Sequence, residues 1–226
     1  MKYEILYPEA FPIVKFQLNC GEKIKAESDA MIAMSPTVEV EGKMDGGFLG
    51  GLARKFLSGE SMFFQELEAT RGAGEVIIGH SLPGGIVDLE LDGSYGLTIQ
   101  KNGFLAATQG IDVSTKMQNL ARGLFSGEGF FVLNATGKGT VFVSSYGGIH
   151  PINLEDGEEI IIDNGHLVAW GDYMEYNIEK ASSGWISSMT SGEGLVCRFR
   201  GPGVVLIQTR NPDSFQSWIL SMLPTK

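Results

Sequence analysis

Three glutamates recur in this 226-residue sequence inside one tripeptide: Ser58-Gly59-Glu60, Ser126-Gly127-Glu128 and Ser191-Gly192-Glu193. Carboxylates carried by equivalent turns can converge on a symmetry axis and hold a hard cation through oxygen ligands. Unneutralised, they repel one another, so such a ring needs a cation or a shared proton. The simpler account leaves each glutamate in water, just after a glycine that ends a helical turn. Glu60, Glu128 and Glu193 are the candidate carboxylate set.

Other chemistry-bearing residues do not repeat. The three histidines are His80, His150 and His166. Counted from the nearest repeated motif, His80 corresponds to Ser145 and Thr209, and His166 to Met31 and Phe104. A histidine triad on an axis would need histidine at matching positions, and no HxH or HExxH cluster exists. They read as three unrelated structural or surface histidines, and no metal is expected. Cys20 and Cys197 have no histidine beside them and form no CxxC pair, so nothing requires a disulfide. There is no Gly-x-Ser-x-Gly elbow. Gly137-Lys138-Gly139-Thr140 lacks the order of a phosphate loop, and no βαβ unit surrounds Gly46-Gly47-Phe48-Leu49-Gly50-Gly51. No catalytic residue and no cofactor is expected, and enzymatic activity is the less favoured reading.

The elements that must carry these residues come in three copies. A Gly-x-Gly followed by an apolar run occurs as Gly72-Ala73-Gly74, Gly137-Lys138-Gly139 and Gly201-Pro202-Gly203, at intervals of 65 and 64 positions. Upstream, Ala30-Met31-Ile32-Ala33 answers to Gly103-Phe104-Leu105-Ala106 and to Gly165-His166-Leu167-Val168. The copies span about 13–81, 86–150 and 151–210. Within each, apolar runs of four to eight residues alternate with Gly, Asn, Asp and Ser, the pattern of strands and turns. About six short strands per copy are expected, with the Gly-x-Gly motifs in matching hairpins. Lys101-Asn102-Gly103 and Asp163-Asn164-Gly165 carry the Asn-Gly dipeptide that suits tight hairpins. Single units of this size bury too little to stand alone. A ring closed about a pseudo-threefold axis within one domain, residues 1–226, accounts for three equally complete copies.

Helical spacing precedes each Ser-Gly-Glu, most clearly at Phe48, Leu49, Leu52, Phe56 and Leu57. This glycine-rich stretch either packs on its own barrel or offers Phe48, Leu49, Leu52 and Phe56 as a contact surface for a partner, another subunit or a membrane. The last element is a helix over 211–223, with Asn211 as N-cap and Pro212 in its first turn. Phe215, Trp218, Ile219, Met222 and Leu223 share one face, which predicts that the helix docks on the β body.

Composition fits this architecture. Glycine supplies 31 residues, about twice ordinary usage, against 8 prolines, and 43% of the chain is apolar. Net charge is −10, from 27 acidic and 17 basic residues. Nucleic-acid binding needs a basic stripe that displaces counterions, and none is present. Charge gives no sign of membrane attraction either. The N-terminal residues lack the apolar core of a signal peptide, and no apolar run approaches the ~20 residues of a membrane span. A reduced, soluble, cytoplasmic protein is expected.

Several segments resemble the "altered inheritance of mitochondria" family of prokaryotic proteins. They are Met1-Lys2-Tyr3-Glu4-Ile5, Gly46-Gly47-Phe48-Leu49-Gly50-Gly51-Leu52, Leu124-Phe125-Ser126-Gly127-Glu128-Gly129-Phe130-Phe131, Asp163-Asn164-Gly165-His166-Leu167-Val168-Ala169-Trp170 and Gln208-Thr209-Arg210-Asn211-Pro212. The resemblance implies an all-β fold of three pseudo-threefold-related repeats. That fold is similar to the tryptophan RNA-binding attenuation protein, of the double-stranded β-helix or barrel type, here with a short C-terminal helix. The family's fungal mitochondrial relative is tied to inner-membrane organisation, and the resemblance carries over no catalytic residue. Residues and resemblance together favour a non-catalytic scaffold or assembly factor acting through an unknown protein partner or self-association. The rival is a small-ligand or metal-binding β module with a site near the axis.

Overall fold

The computed structural model describes residues 1–44, 63–118, 130–180 and 195–223. The first stretch supplies β1 (Lys2–Leu6), β2 (Ile13–Leu18), β3 (Lys23–Glu27), β4 (Met31–Met34), β5 (Glu39–Met44), β6 (Phe63–Glu68) and β7 (Gly74–Gly79). Alternation makes these strands one-faced. Val14, Phe16 and Leu18 of β2 are buried, and Lys15 and Gln17 between them are not, the two-residue period of a sheet with one side on a core. β7 lies between β2 and β4, with β1 beyond β2, while β6 lies between β3 and β5.

The next stretch holds β8 (Ile86–Asp92), β9 (Leu97–Gln100), β10 (Phe104–Thr108), β11 (Ile111–Gln118) and β12 (Phe130–Ser144). β12 is one uninterrupted strand of 15 residues. Its first half pairs with β9 and β11, and its second half with β8 and β10. Then follow β13 (Ile149–Leu154), β14 (Glu159–Asp163), β15 (Leu167–Gly171), β16 (Glu175–Lys180), β17 (Leu195–Arg200) and β18 (Gly203–Gln208). β18 lies between β13 and β15, and β17 between β14 and β16. The fold is mostly β, and the described residues form several antiparallel sheets with a short C-terminal helix. Among the described residues the copies hold six, five and six strands, with β1 lying ahead of the first copy and β12 unbroken in the second.

The Gly-x-Gly motifs are not hairpin turns. β6 and β7 do not pair with each other, nor do β17 and β18, so Gly72–Gly74 and Gly201–Gly203 are corners where the chain leaves one sheet for another. At Gly137–Gly139 the same change of partners occurs within β12. Gly72, Gly137, Gly139 and Gly203 all have positive φ, from +116° to +155°, which a side chain tolerates poorly. The two Asn-Gly turns likewise join strands that pair elsewhere. Residues 101–103 link β9 to β10, and Asn164–His166 form a single 3-10 turn between β14 and β15.

Buried side chains form three clusters. The first gathers Val14, Phe16, Ile24, Leu67 and Ile78 around Phe142 of β12. Phe142 meets Phe16 edge-on at 5.1 Å and Tyr3 at 4.9 Å. The second centres on Ile99, Phe104, Leu133 and Val141. In the third, Trp170 packs edge-on against Tyr176 and Phe199 at 5.1 and 5.2 Å, beside buried Cys197.

The helix α1 (Pro212–Met222) begins as its sequence predicts. Asn211 Oδ1 accepts from the backbone N–H groups of Asp213 and Ser214 at 2.9 and 3.3 Å. Its expected docking is not observed: none of its residues is buried. It reaches the sheets through Phe215, whose ring lies 5.4 Å from that of Tyr146. The apolar face was legible in the sequence, but among the described residues it is left exposed.

Candidate functional site

Polar side chains come together where β1 meets the middle of β8 and the second half of β12. β8 reads Ile-Val-Asp-Leu-Glu-Leu-Asp, so Asp88 and Glu90, two residues apart, share a face. Tyr3 projects from β1 onto that face. Its hydroxyl donates to Asp88 Oδ2 at 2.8 Å and lies 3.3 Å from Glu90 Oε1. Thr140 of β12 donates to the same Glu90 oxygen at 2.6 Å. The Thr140 backbone N–H donates to Thr108 Oγ1 at 2.9 Å. Beside them, the terminal ammonium of Met1 is paired with Glu22, which also accepts from the backbone N–H of Asn19. Met1, Tyr3, Glu22, Thr108, Gln109 and Thr140 line a cleft of about 390 Å³.

Electrostatics keep this cleft neutral at Tyr3 and charged at Glu22. Burial, then the hydrogen bond to Asp88 and its charge, push the Tyr3 phenol up to about 12. Pairing with the terminal ammonium, joined by the Asn19 N–H, holds Glu22 below its ordinary value. The carboxylates are thus occupied by donors of the chain itself. These hydroxyl–carboxylate hydrogen bonds fasten β1 across β8 and β12.

The Tyr3 shift has a definite sign. A phenol raised in the folded state contributes stability that is fully present below its unfolded value, about 10. That contribution is lost as pH climbs toward 12. Tyr176, raised to about 12 mainly by burial, behaves alike. Alkaline titration of phenolate absorbance is expected to show Tyr3 and Tyr176 ionising late, and Tyr3→Phe is expected to remove one late transition. Loss of no late tyrosine in that variant would remove the hydrogen-bonded account of Tyr3.

The candidates read from the sequence fall elsewhere. Glu60, Glu128 and Glu193 lie outside the described residues, as do Phe48, Leu49, Leu52 and Phe56. The histidines do not meet. The side chain of His80 is buried, with its Nδ1 3.8 Å from Glu27 Oε2. His166 Nδ1 lies 2.8 Å from the Gln208 carbonyl oxygen, to which it donates in that tautomer. His150 stands exposed on β13. Among the described residues no three His, Cys, Asp or Glu side chains are placed to hold a metal ion. Both cysteines are free, Cys20 exposed and Cys197 buried. Burial and the charge of Asp163 push the Cys197 thiol up to about 12, far from a thiolate nucleophile at neutral pH.

One alignment made from the sequence shifts in the structure. β4, β10 and β15 each show a register irregularity against their inner partner, between Met31 and Ala33, Phe104 and Ala106, and Leu167 and Ala169. Leu167, not His166, therefore answers to Met31 and Phe104. The 3-10 turn ending at His166 absorbs the extra residue. Sequence reading also missed the Tyr3, Asp88, Glu90 and Thr140 cluster. Its one visible signal was the alternation of carboxylates along β8.

The family described as mitochondrial biogenesis AIM24 matches residues 3–210. The chain belongs to the AIM24 family. An uncharacterized protein of Streptococcus pyogenes serotype M6 is 32% identical over 232 residues, covering 100% of this chain and 92% of that protein. A crystal structure of a Streptococcus pyogenes protein, solved by a structural genomics consortium, is similar at a TM-score of 0.79 and 31% identity. The likeness spans 98% of this AIM24-family chain and 99% of the streptococcal one. No described helix of this chain is long and apolar enough to cross a membrane.

Proposed function

We propose that this AIM24-family chain is a non-catalytic cytoplasmic scaffold or assembly protein, built of three related β units and acting through protein contacts. The observation that carries the reading is the outward face of α1. Phe215, Trp218, Ile219 and Leu220 are exposed, together with Met222 and Leu223 at its end. Apolar side chains concentrated on one exposed element mark a surface that another molecule covers. The matching irregularities in β4, β10 and β15 support the repeat reading.

The test uses residues whose removal leaves the β body alone. In cell extract the chain is expected to run well above its own mass of 24.4 kDa. Trp218→Asp with Leu220→Asp is expected to keep the far-ultraviolet circular dichroism of the wild type, because both sites are exposed. The same double variant is expected to run smaller. A wild type that runs as a monomer in extract would defeat the reading, and so would an unchanged large species in the double variant.

A further inference from the structure

Two joints connect successive stretches of the chain, and they are built alike. At the first, β10 meets β3 through Ala106↔Ala26, Ala107↔Lys25 and Thr108↔Ile24. At the second, β15 meets β9 through Ala169↔Ile99, Trp170↔Thr98 and Gly171↔Leu97. In each, the alanine just past the register irregularity leads the pairing. In each, its partner stands five positions before the start of the irregularity in its own stretch, Ala26 before Met31 and Ile99 before Phe104.

One strand of each kind is left over. β4 carries the third irregularity and the third alanine, Ala33. β14 carries Ile162, five positions before Leu167. Yet β4 ends the four-stranded sheet and β14 ends the three-stranded one. Burial records the difference. Ala106, Ala107, Ala169 and Trp170 are buried, whereas Ile32 is 58%, Met34 39% and Ile161 41% exposed.

We propose that these two edges pair between copies, with β14 of one chain added antiparallel to β4 of a second. The register of the two existing joints sets the third: Ala33 opposite Ile162, Met34 opposite Ile161, and Ser35 opposite Ile160. This inference rests on the reading that the chain acts through protein contacts, and names the partner as the chain itself. Both edges are apolar at the first two of these pairs, with Ala33 and Met34 facing Ile162 and Ile161. Glu159, at the end of β14, is already paired with Arg198. The irregularity in β4 does not bar pairing, because β10 and β15 carry the same one and pair on both sides. Among the described residues neither edge has a further strand beside it, and the complementary strands find each other in another copy. Such a contact joins unlike surfaces, and it propagates into a ring or a chain of subunits. An open sheet edge is also the template most prone to accept a further strand.

Light scattering of the purified full chain over a concentration series tests this. The wild-type mass is expected to rise above 24.4 kDa. Met34→Lys and Ile161→Lys are each expected to stay monomeric with wild-type circular dichroism. Mixed together, they are expected to give a species of twice the monomer mass and none larger, since one intact edge of each kind remains. Amide exchange on the wild type provides a readout that needs no variant: β4 and β14 should slow as concentration rises. A wild type that stays monomeric throughout, or a mixture that forms no dimer, overturns the pairing. If the purified chain is monomeric yet runs large in extract, the edge pairing fails and the contact reading stands. If it is monomeric in both, both fail.

Discussion

Replacing Phe142 with alanine is expected to lower the unfolding free energy by about 3–5 kcal/mol, the range for deleting a buried aromatic ring. Phe142 is wholly buried. It comes from β12 but packs among residues of the first stretch, with Phe16 and Tyr3 edge-on against it. Its loss therefore opens a cavity between two sheets, where neither can collapse without moving the other. Urea denaturation checks this: the midpoint falls while the slope is unchanged. Tyr3 loses its ring contact in the same variant, so its phenol should also titrate earlier. A loss below about 1 kcal/mol would place the site among those that relax freely, against the packing described.

Gly137→Ala is expected to cost about 2–4 kcal/mol, from a strained backbone together with a backbone clash. Gly137 has φ +116°, and an added Cβ would run into the carbonyl oxygen of Gly110. That carbonyl accepts from the Lys138 N–H at 3.1 Å where β11 begins, so it cannot move aside alone. Gly157 is the control. Its φ is +76°, and nothing lies within 4 Å of where its Cβ would be. Alanine there bears only the cost of the left-handed conformation, about 1–2 kcal/mol. Thermal or urea unfolding of the two variants should separate them clearly. Equal losses would mean that conformation, and not the approach of Gly110, governs position 137.

Strands and the final helix were legible because their signals are local. Alternation in Val14-Lys15-Phe16-Gln17-Leu18 needs only one face on a core, and Asn211-Pro212-Asp213 writes a helix start whatever surrounds it. Partner choice was not local. A positive-φ glycine serves a hairpin and a sheet-to-sheet corner equally, so Gly72, Gly137 and Gly203 announced a change of direction without saying which strands would pair. The alignment of His166 failed for a similar reason: a 3-10 turn and a bulge consume residues that leave no compositional trace. The cluster of Tyr3, Asp88, Glu90 and Thr140 depends on β1 lying across β8, some 85 residues away in sequence. The docking of α1 was expected from its own pattern, yet docking also requires a receiving surface, which the pattern does not describe.

β12 pairs with four strands that all precede it, so a growing chain meets a delay that the finished fold conceals. When β8 to β11 have left the ribosome, the strand that both halves of their pairing require has not been made. At about 5–20 residues per second, the 26 positions from Gln118 to Ser144 take on the order of one to five seconds to synthesise. Throughout that time Ile99, buried in the native protein, has neither of the strands it pairs with, β12 and β15, to lie against. Translation speed across this interval, and the availability of chaperones that shield nascent β segments, should govern the yield of this protein more than its final stability does.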